Sequence, residues 1–270
     1  MRGRPADEPP AILTRIDYAR GRERLRFRLI FAATWALVVG GLVGALFANG
    51  KLDVAFLSQN APYILAGAPL TVVVSAASIS LAIVFALLGA FGRISRVAPV
   101  YAVATLYVSL VRGTPLIVQL FFVYLALPQF GIVLPALETG IFALAFNYGA
   151  YMTEIFRAGF EAVPRGQVEA AHALGMNDRA TMQRIVLPQA LRIVIPAIGN
   201  EFIAMIKDSA LVSLIGLQEL LFRARVTGSA HFRSFETFMV AALVYWILTM
   251  VFSFFQERLE RRMAESDRRI

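Results

Sequence analysis

The sequence contains no cysteine, which excludes disulfide bonds, catalytic thiolates and metal sites built on thiolate ligands. It has only two histidines, His172 and His231, and they lie so far apart that a histidine metal site is not expected. Charged residues make up 16% of the chain, whereas 58% of its residues are hydrophobic, compared with about 45–50% in soluble proteins. The net charge of +8 is not arranged as a basic face interleaved with aromatic residues, so nucleic acid is not an expected partner.

The chain also lacks a nucleotide-binding loop. A P-loop requires G-x-x-x-x-G-K-[ST], and the nearest match is GALFANGKL at 44–52. In this segment Gly44 and Gly50 are one residue too far apart, and Leu52 stands where the hydroxyl residue is needed. Because a Ser–His–Asp set, a metal cluster and paired carboxylates are also missing, we expect no enzyme, no catalytic or metal-ligating residue and no cofactor bound by this chain.

Long apolar runs dominate the sequence that is present. Runs of about 20 residues cross a hydrocarbon core of ~30 Å, and only helices satisfy their own backbone there without a closed barrel. The fold class predicted is therefore all-α, a polytopic membrane helix bundle. The run at 29–48 is longer than a signal-peptide core, so we interpret it as an uncleaved span. The six predicted spans are 29–48, 64–91, 98–127, 132–160, 190–216 and 237–256.

Arginine placement predicts the orientation, because positive charge is enriched on the cytoplasmic side of membrane proteins. The basic tail 1–28 and the tail 261–270 are both expected in the cytoplasm, which agrees with six spans. The connection 127–135 carries no Lys or Arg and is predicted outside. One segment disagrees, since 217–236 contains Arg223, Arg225 and Arg233 although it must face outward. We expect part of it, LQELLFRARV, to form a short helix packed against protein.

A polar insert, RGQVEAAHALGMNDRATMQRIVLPQA at 165–190, interrupts the apolar pattern. It predicts a helix, a left-handed turn at Gly175, and a second helix capped by Asn177 or Asp178. Pro188 fits the first turn of the next long helix, where its missing N–H costs little. The small side chains of Ala170 and Ala171 favour close docking of another protein, although a solvated hairpin without a partner has a similar composition.

The spacing within this insert carries a family resemblance. Glu169-Ala170-Ala171, Gly175, Ile185 and Leu187-Pro188 resemble the EAA loop of ABC importer permeases at every fixed position. The segments 112–128, 147–167 and 199–216 resemble the polar amino acid uptake branch of that family. The resemblance covers about 60–260 and implies a five-helix permease core, here preceded by one extra N-terminal transmembrane helix at 29–48. It also implies that 165–188 is the coupling loop, with Glu169, Ala170, Ala171 and Gly175 contacting an ATPase.

The resemblance further implies the partners and the location. They are two ABC ATPase subunits that bind ATP, a second permease subunit of the same or a related chain, a periplasmic or extracellular amino-acid-binding protein, and the lipid of the cell inner membrane. Which amino acid is carried and whether the permeases form a homodimer or heterodimer stay open. The alternative is a stand-alone secondary transporter or channel for small polar solutes, which would usually show two repeated halves.

Polar residues inside the predicted spans are the candidates for the substrate path. Asn200 and Glu201 lie near the middle of the fifth span, where an ionisable residue usually faces a cavity or a partner. An internal ion-pair network that includes Lys207 and Asp208 is the competing interpretation, and we assign those two to structure. The interruption Arg112-Gly113-Thr114-Pro115 weakens the third span and offers Thr114 to the path. Gln119 is a weaker candidate, and Arg112 is equally suited to the inner membrane interface.

Overall fold

The computed structural model describes residues 11–48 and 53–267, and the regular structure within these ranges is entirely helical. The chain divides into two compact units, with the boundary between Leu57 and Ser58. In the first unit, helix α1 runs from Ala11 to Ala48 and contains the predicted span 29–48. The helices that follow are α2 (Val54–Leu65), α3 (Ala68–Arg93), α4 (Ala98–Arg112), α5 (Leu116–Phe121), α6 (Ala136–Glu161), α7 (Arg165–Ala173), α8 (Asp178–Thr181), α9 (Leu187–Asp208), α10 (Leu220–His231) and α11 (Ser234–Asp267).

Three helical segments within the described ranges are long and apolar enough to cross a membrane: Val54–Arg93, Asp178–Ile215 and Ser234–Met263. The bent pair α4 and α5, extended to Phe130, would be a fourth if it counts as one span. Helix α6 covers the predicted span 132–160 from Ala136 onward, but its polar residues make it less apolar than these segments. Half of its 26 residues are buried, so α6 faces mainly protein, where polar side chains find partners.

The predicted span 98–127 is divided into two helices at the interruption that the sequence indicates. Helices α4 and α5 meet at 107°, and the break falls at Gly113–Pro115. Pro115 has an extended backbone (φ −63°, ψ 138°), and its ring and missing N–H prevent the helix from continuing through it. The sequence thus indicates where the helix is interrupted, and in the structure the chain turns sharply at this point.

The most extensive helix pair of the second unit is α3 against α6. Small residues make the close approach possible: Ala82, Ala86 and Ala90 of α3 are fully buried in one cluster with Met152 of α6. Gly89 lies on the same face, and a Cβ at this position would collide with the side chain of Thr153. Close backbone contact through small residues is a common way for membrane helices to associate.

We expect Gly89→Leu to destabilise the protein by about 1–3 kcal/mol or more, because the new side chain must push α3 away from α6. The measurement is the melting temperature of the purified protein in detergent. Gly166→Ala is the matched control, since a Cβ there meets no described atom within 4 Å. Equal melting temperatures for the two variants would contradict this account of the helix pair.

The arginines of segment 217–236, which conflict with the charge rule, are held by protein oxygen atoms. Helix α10 begins at Leu220, so the predicted short helix of this segment is confirmed in its second part. The contacts are those of Arg223 with the carbonyls of Gln218 (3.0 Å) and Tyr63 (3.2 Å), of Arg225 with the Ser213 carbonyl (3.1 Å), and of Arg233 with the Glu236 carboxylate (3.1 Å). These arginines are therefore held by local contacts with the protein, so their presence in this segment does not require a position on the cytoplasmic side.

Candidate functional site

The polar insert forms a helical hairpin that joins α6 to α9, and we call residues 165–186 the hairpin. Helix α7 forms its first arm, and α8 with a π-helical turn at Met182–Val186 forms the second. The second arm runs without interruption into α9. The first arm is connected to α6 by only three residues, 162–164. The hairpin is thus attached directly to two long helices that pack against each other.

The turn of the hairpin follows the predicted local chemistry. Gly175 has φ +81°, so the predicted left-handed end of the first helix is confirmed. The Gly175 N–H donates to the His172 carbonyl (2.9 Å), and the Met176 N–H donates to the Ala171 carbonyl (3.0 Å). Of the two candidate caps, Asn177 is the one used, because its Oδ1 accepts from the Ala180 N–H at 2.8 Å. Non-glycine residues rarely adopt this backbone conformation, so the turn requires a glycine or a close substitute.

The candidate coupling residues differ in how far their side chains are exposed. Glu169, Ala170 and Gly175 are exposed, whereas Ala171 is only 3% exposed. The expectation that both alanines lie on an open surface is therefore wrong for Ala171, which packs inside the hairpin. Leu174, which directly follows α7 and is 84% exposed, was not among the predicted coupling residues. An apolar residue directly before the glycine of a polar insert is the signal that would have indicated it.

The base of the hairpin is fixed to the helices that carry it. Val163, Val186 and Ala190 form a small buried cluster with Val168 of α7 partly buried against it. The Gln189 amide donates to the Ile185 carbonyl at 2.8 Å and to the side-chain oxygen of Gln167 in α7. The exposed tip thus projects from a base that is held by both apolar packing and hydrogen bonds.

The π-helical turn at Met182–Val186 explains how the second arm joins α9. Pro188 follows it, and a proline ring normally collides with the carbonyl four residues earlier. The wider turn, in which the Leu187 N–H bonds to the Met182 carbonyl, relieves that contact. The same arrangement occurs at Phe122–Ala126, where Leu127 bonds to Phe122 just before Pro128. The predicted placement of Pro188 in the first turn of α9 is confirmed.

An ionic network lies where α6 approaches the hairpin. The predicted pair of Glu154 and Arg157 is confirmed at 2.7 Å, and Arg157 also bonds to Glu161 at 2.6 Å. Arg93, at the end of α3, bonds to Glu154 at 3.3 Å. This network joins the end of α3 to the part of α6 that leads into the hairpin.

The second candidate site is the corner between α4 and α5. The Gln119 amide donates to the carbonyls of Val111 (2.8 Å) and Thr114 (3.1 Å) and to Thr114 Oγ1 (2.9 Å). Its Oε1 accepts from Asn147 of α6 at 3.2 Å. Thr114 and Gln119 are therefore in contact. The Gln119 amide, however, donates to backbone carbonyls that the break at Pro115 leaves without a helical partner. Its evident role is to hold the corner in shape.

Removing this amide with Gln119→Leu is expected to cost about 1–3 kcal/mol, because backbone carbonyls at the corner lose their donor. The effect is measured as a lower melting temperature in detergent. Val118→Leu serves as the matched control, since Val118 is the preceding residue of α5 and is 54% exposed. A Gln119→Leu protein as stable as the control would show that the corner does not depend on this side chain.

One face of α6 joins the corner to the end of α9. The Tyr148 hydroxyl donates to the Asp208 carboxylate at 2.8 Å, and the Arg112 guanidinium lies over the Tyr151 ring, 5.3 Å from its centroid. Tyr148 and Tyr151 are one helical turn apart, so Arg112 and Asp208 lie near a common surface. Neither charged residue is buried. This surface was missed because the sequence analysis assigned Asp208 to structure and gave the tyrosines no role.

The two candidates on α9 point in different directions. Asn200 accepts a hydrogen bond from the Gln256 amide of α11 at 2.9 Å, so it is directed toward that helix. Glu201 is half-buried and makes no hydrogen bond or ion pair with any residue the structure describes. It precedes Asp208 by seven residues, which places both carboxylates on the same side of α9. No group of three or more His, Asp and Glu residues in the described ranges is arranged to hold a metal ion.

Comparison with known proteins identifies a family and several relatives of this chain. Residues 78–265 match the family described as binding-protein-dependent transport system inner membrane component. The chain is 37% identical over 203 residues to the L-cystine transport system permease protein TcyB of Bacillus subtilis, covering 75% of this chain and 87% of that protein. It is 36% identical over 218 residues to the arginine transport system permease protein ArtQ of the same organism, covering 80% and 100% respectively.

A solved structure shares the fold over most of the chain. It is the crystal structure of an amino acid ABC transporter with histidines, which is 38% identical and superposes with a TM-score of 0.74. The match covers 78% of this chain and 99% of that chain. The family match and these relatives together show that the chain belongs to the inner membrane components of binding-protein-dependent transport systems, the permeases of ABC importers.

Proposed function

We propose that this chain is the permease subunit of an ATP-driven importer that carries polar amino acids across the inner membrane. The observation that carries the proposal is the hairpin, whose tip is exposed while its base runs directly into α9 and is joined to α6 by three residues. The amino acid substrate is supported by the names of the relatives, which include permeases for L-cystine and for arginine. Because the sequence has no P-loop, the energy of ATP enters from a separate ATPase subunit.

The coupling surface consists of Glu169, Ala170, Leu174 and Gly175. Leu174 provides an apolar anchor for a pocket on the ATPase, and Glu169 pairs with a basic group beside it. Ala170 and Gly175 leave the space that close approach requires. Ala171 acts behind this surface, as part of the packing that keeps α7 in place.

The substrate path runs along the α6 face that carries Tyr148 and Tyr151. A zwitterionic amino acid needs a donor for its carboxylate and an acceptor for its ammonium group. Arg112 supplies the first, and Asp208 together with Glu201 supplies the second. Thr114 and Gln119 shape the corner beside the path, whereas Asn200 acts through its contact with α11.

The complete transporter contains two ATPase subunits, a second permease and an external amino-acid-binding protein. Both termini of this chain lie in the cytoplasm, and residues 29–48 form an extra span before a five-helix core at 60–260. The coupling hairpin then lies on the cytoplasmic side, where ATPase subunits are found. The distribution of arginines supports this orientation.

The test is reconstitution of the tagged chain, with the proteins that co-purify, into proteoliposomes. We expect uptake of a radiolabelled polar amino acid that requires internal ATP and the binding protein and does not require an ion gradient. A co-purifying ATPase is expected as part of the same preparation. Uptake that is driven by an ion gradient and proceeds without an ATPase would overturn the proposal in favour of a secondary transporter.

A further inference from the structure

An apolar groove between α3 and α4 lies away from the hairpin tip and from the substrate path. It has a volume of about 590 Å³, and all of its lining residues are apolar or aromatic. Its walls come from α3, α4 and one residue of α6, and they include Phe85, Leu88, Gly92, Val103, Tyr107 and Phe146. The volume is in the range of small-molecule sites, and its rim is open, since Leu88 is 66% and Val103 is 70% exposed.

The groove exists because small residues line its floor while large residues form its rim. Gly92 packs so closely against Ala104 that a Cβ at Gly92 would lie 2.6 Å from the Ala104 Cβ. The Tyr107 hydroxyl donates to the Phe146 carbonyl at 2.7 Å, so its polar atom is satisfied within the protein. Only the ring of Tyr107 remains for a ligand, 4.9 Å from the centroid of Phe146. The surface offered is thus almost entirely apolar and suited to hydrocarbon.

The end of the groove next to the α3–α4 connection is basic. Gly92 and Pro99 both line the groove, and the connection between them contains Arg93 and Arg96. The charge of Arg93 is balanced by Glu154 at 3.3 Å. Arg96 is exposed and has no hydrogen bond or ion pair with the part of the chain that the structure describes. An apolar groove beside a connection that carries an exposed arginine matches the two parts of an acidic phospholipid, its acyl chains and its phosphate.

We propose that this groove binds an acidic phospholipid, with an acyl chain against Phe85 and Tyr107 and the phosphate at Arg96. The Arg93–Glu154 contact shows that this end of α3 lies beside the part of α6 that leads to the hairpin. The bound lipid therefore fills the space between α3 and α4 beside the base of the coupling element. Its acidic headgroup distinguishes this site from the ordinary lipid shell, which makes no selection by charge.

The experiment is native mass spectrometry of the purified transporter, titrated with phosphatidylglycerol or with phosphatidylcholine of the same acyl chains. We expect one phosphatidylglycerol per permease to be retained preferentially. Arg96→Gln should reduce this preference about fivefold, the effect of one basic residue near a membrane surface. Val103→Trp, which fills the groove from an exposed position, should abolish the retained lipid.

Two matched controls separate the site from general effects. Leu110→Trp adds the same bulk to α4 at a position that is 60% exposed and outside the groove, and Arg179→Gln removes the same charge from the hairpin. Both should retain phosphatidylglycerol as the original chain does. Any one of three results would overturn the proposal: equal retention of the two lipids, unchanged selectivity in Arg96→Gln, or a disulfide between cysteines at position 103 of two permease copies. The last result would show that a second copy covers the groove.

Discussion

Replacing Gly175 with arginine is expected to abolish ATP-driven uptake while the protein still inserts into the membrane. Gly175 has φ +81° at the exposed tip of the hairpin, and a Cβ there would meet no described atom within 4 Å. The arginine therefore has space in the free permease, but it projects into the surface proposed to enter the ATPase. We expect a loss of about tenfold or more in both uptake and permease-stimulated ATP hydrolysis, as for a central interface residue.

The strain of the left-handed backbone must be separated from the loss of docking. Gly175→Asn is the control, because asparagine tolerates this conformation better than other residues and is much smaller than arginine. It should keep most of the activity. Leu174→Glu places a charge on the same surface without changing the turn, and it should be as inactive as the arginine variant. Full uptake by a correctly inserted Gly175→Arg protein would contradict the proposed coupling surface.

The second large effect is expected at the carboxylates of α9. Asp208→Asn and Glu201→Gln should each lower the uptake of a polar amino acid about tenfold, because the ammonium group of the substrate loses a charged acceptor. The measurement is uptake in proteoliposomes at several substrate concentrations. ATPase activity without substrate should stay near its original level, since the hairpin is unchanged.

The control for this prediction is the neighbouring charge. Lys207→Gln removes a charge next to Asp208, but Lys207 points about 100° away around the helix and should affect uptake less than about twofold. Tyr148→Phe removes the hydroxyl that donates to Asp208 and should give an intermediate loss. If Lys207→Gln were as damaging as Asp208→Asn, the carboxylates would matter through the general charge of α9 and not through contact with the substrate.

The hairpin was predictable from sequence because its structure depends on local chemistry. A glycine that must adopt positive φ, an asparagine that caps the next helix and a proline in a first turn each act within a few residues. The burial of Ala171 was not predictable, because an alanine-rich helix has no clear apolar face. Its burial is decided by the packing of α7 against the second arm, which comes from a later part of the sequence.

The substrate path was predicted less well, because its contacts join residues that are far apart in sequence. Tyr148 and Asp208 are 60 residues apart, and no local pattern indicates that they bond. Asn200 and Glu201 are adjacent and appear equivalent in the sequence. Gln256 distinguishes them by binding Asn200 from α11, which leaves Glu201 without a described partner. The break at Pro115 was visible, but its 107° angle depends on tertiary contacts such as those of Gln119.

The central claim is that the hairpin tip is the surface through which an ATPase drives this permease. The absence of cysteine from the chain allows a direct measurement, maleimide labelling of a single cysteine introduced by Leu174→Cys. Phe232→Cys is the control, because Phe232 is 97% exposed at the turn between α10 and α11. We predict that binding of the ATPase strongly reduces maleimide labelling at position 174 and leaves labelling at position 232 unchanged. Equal labelling of position 174 in the free permease and in the complex with its ATPase would contradict it.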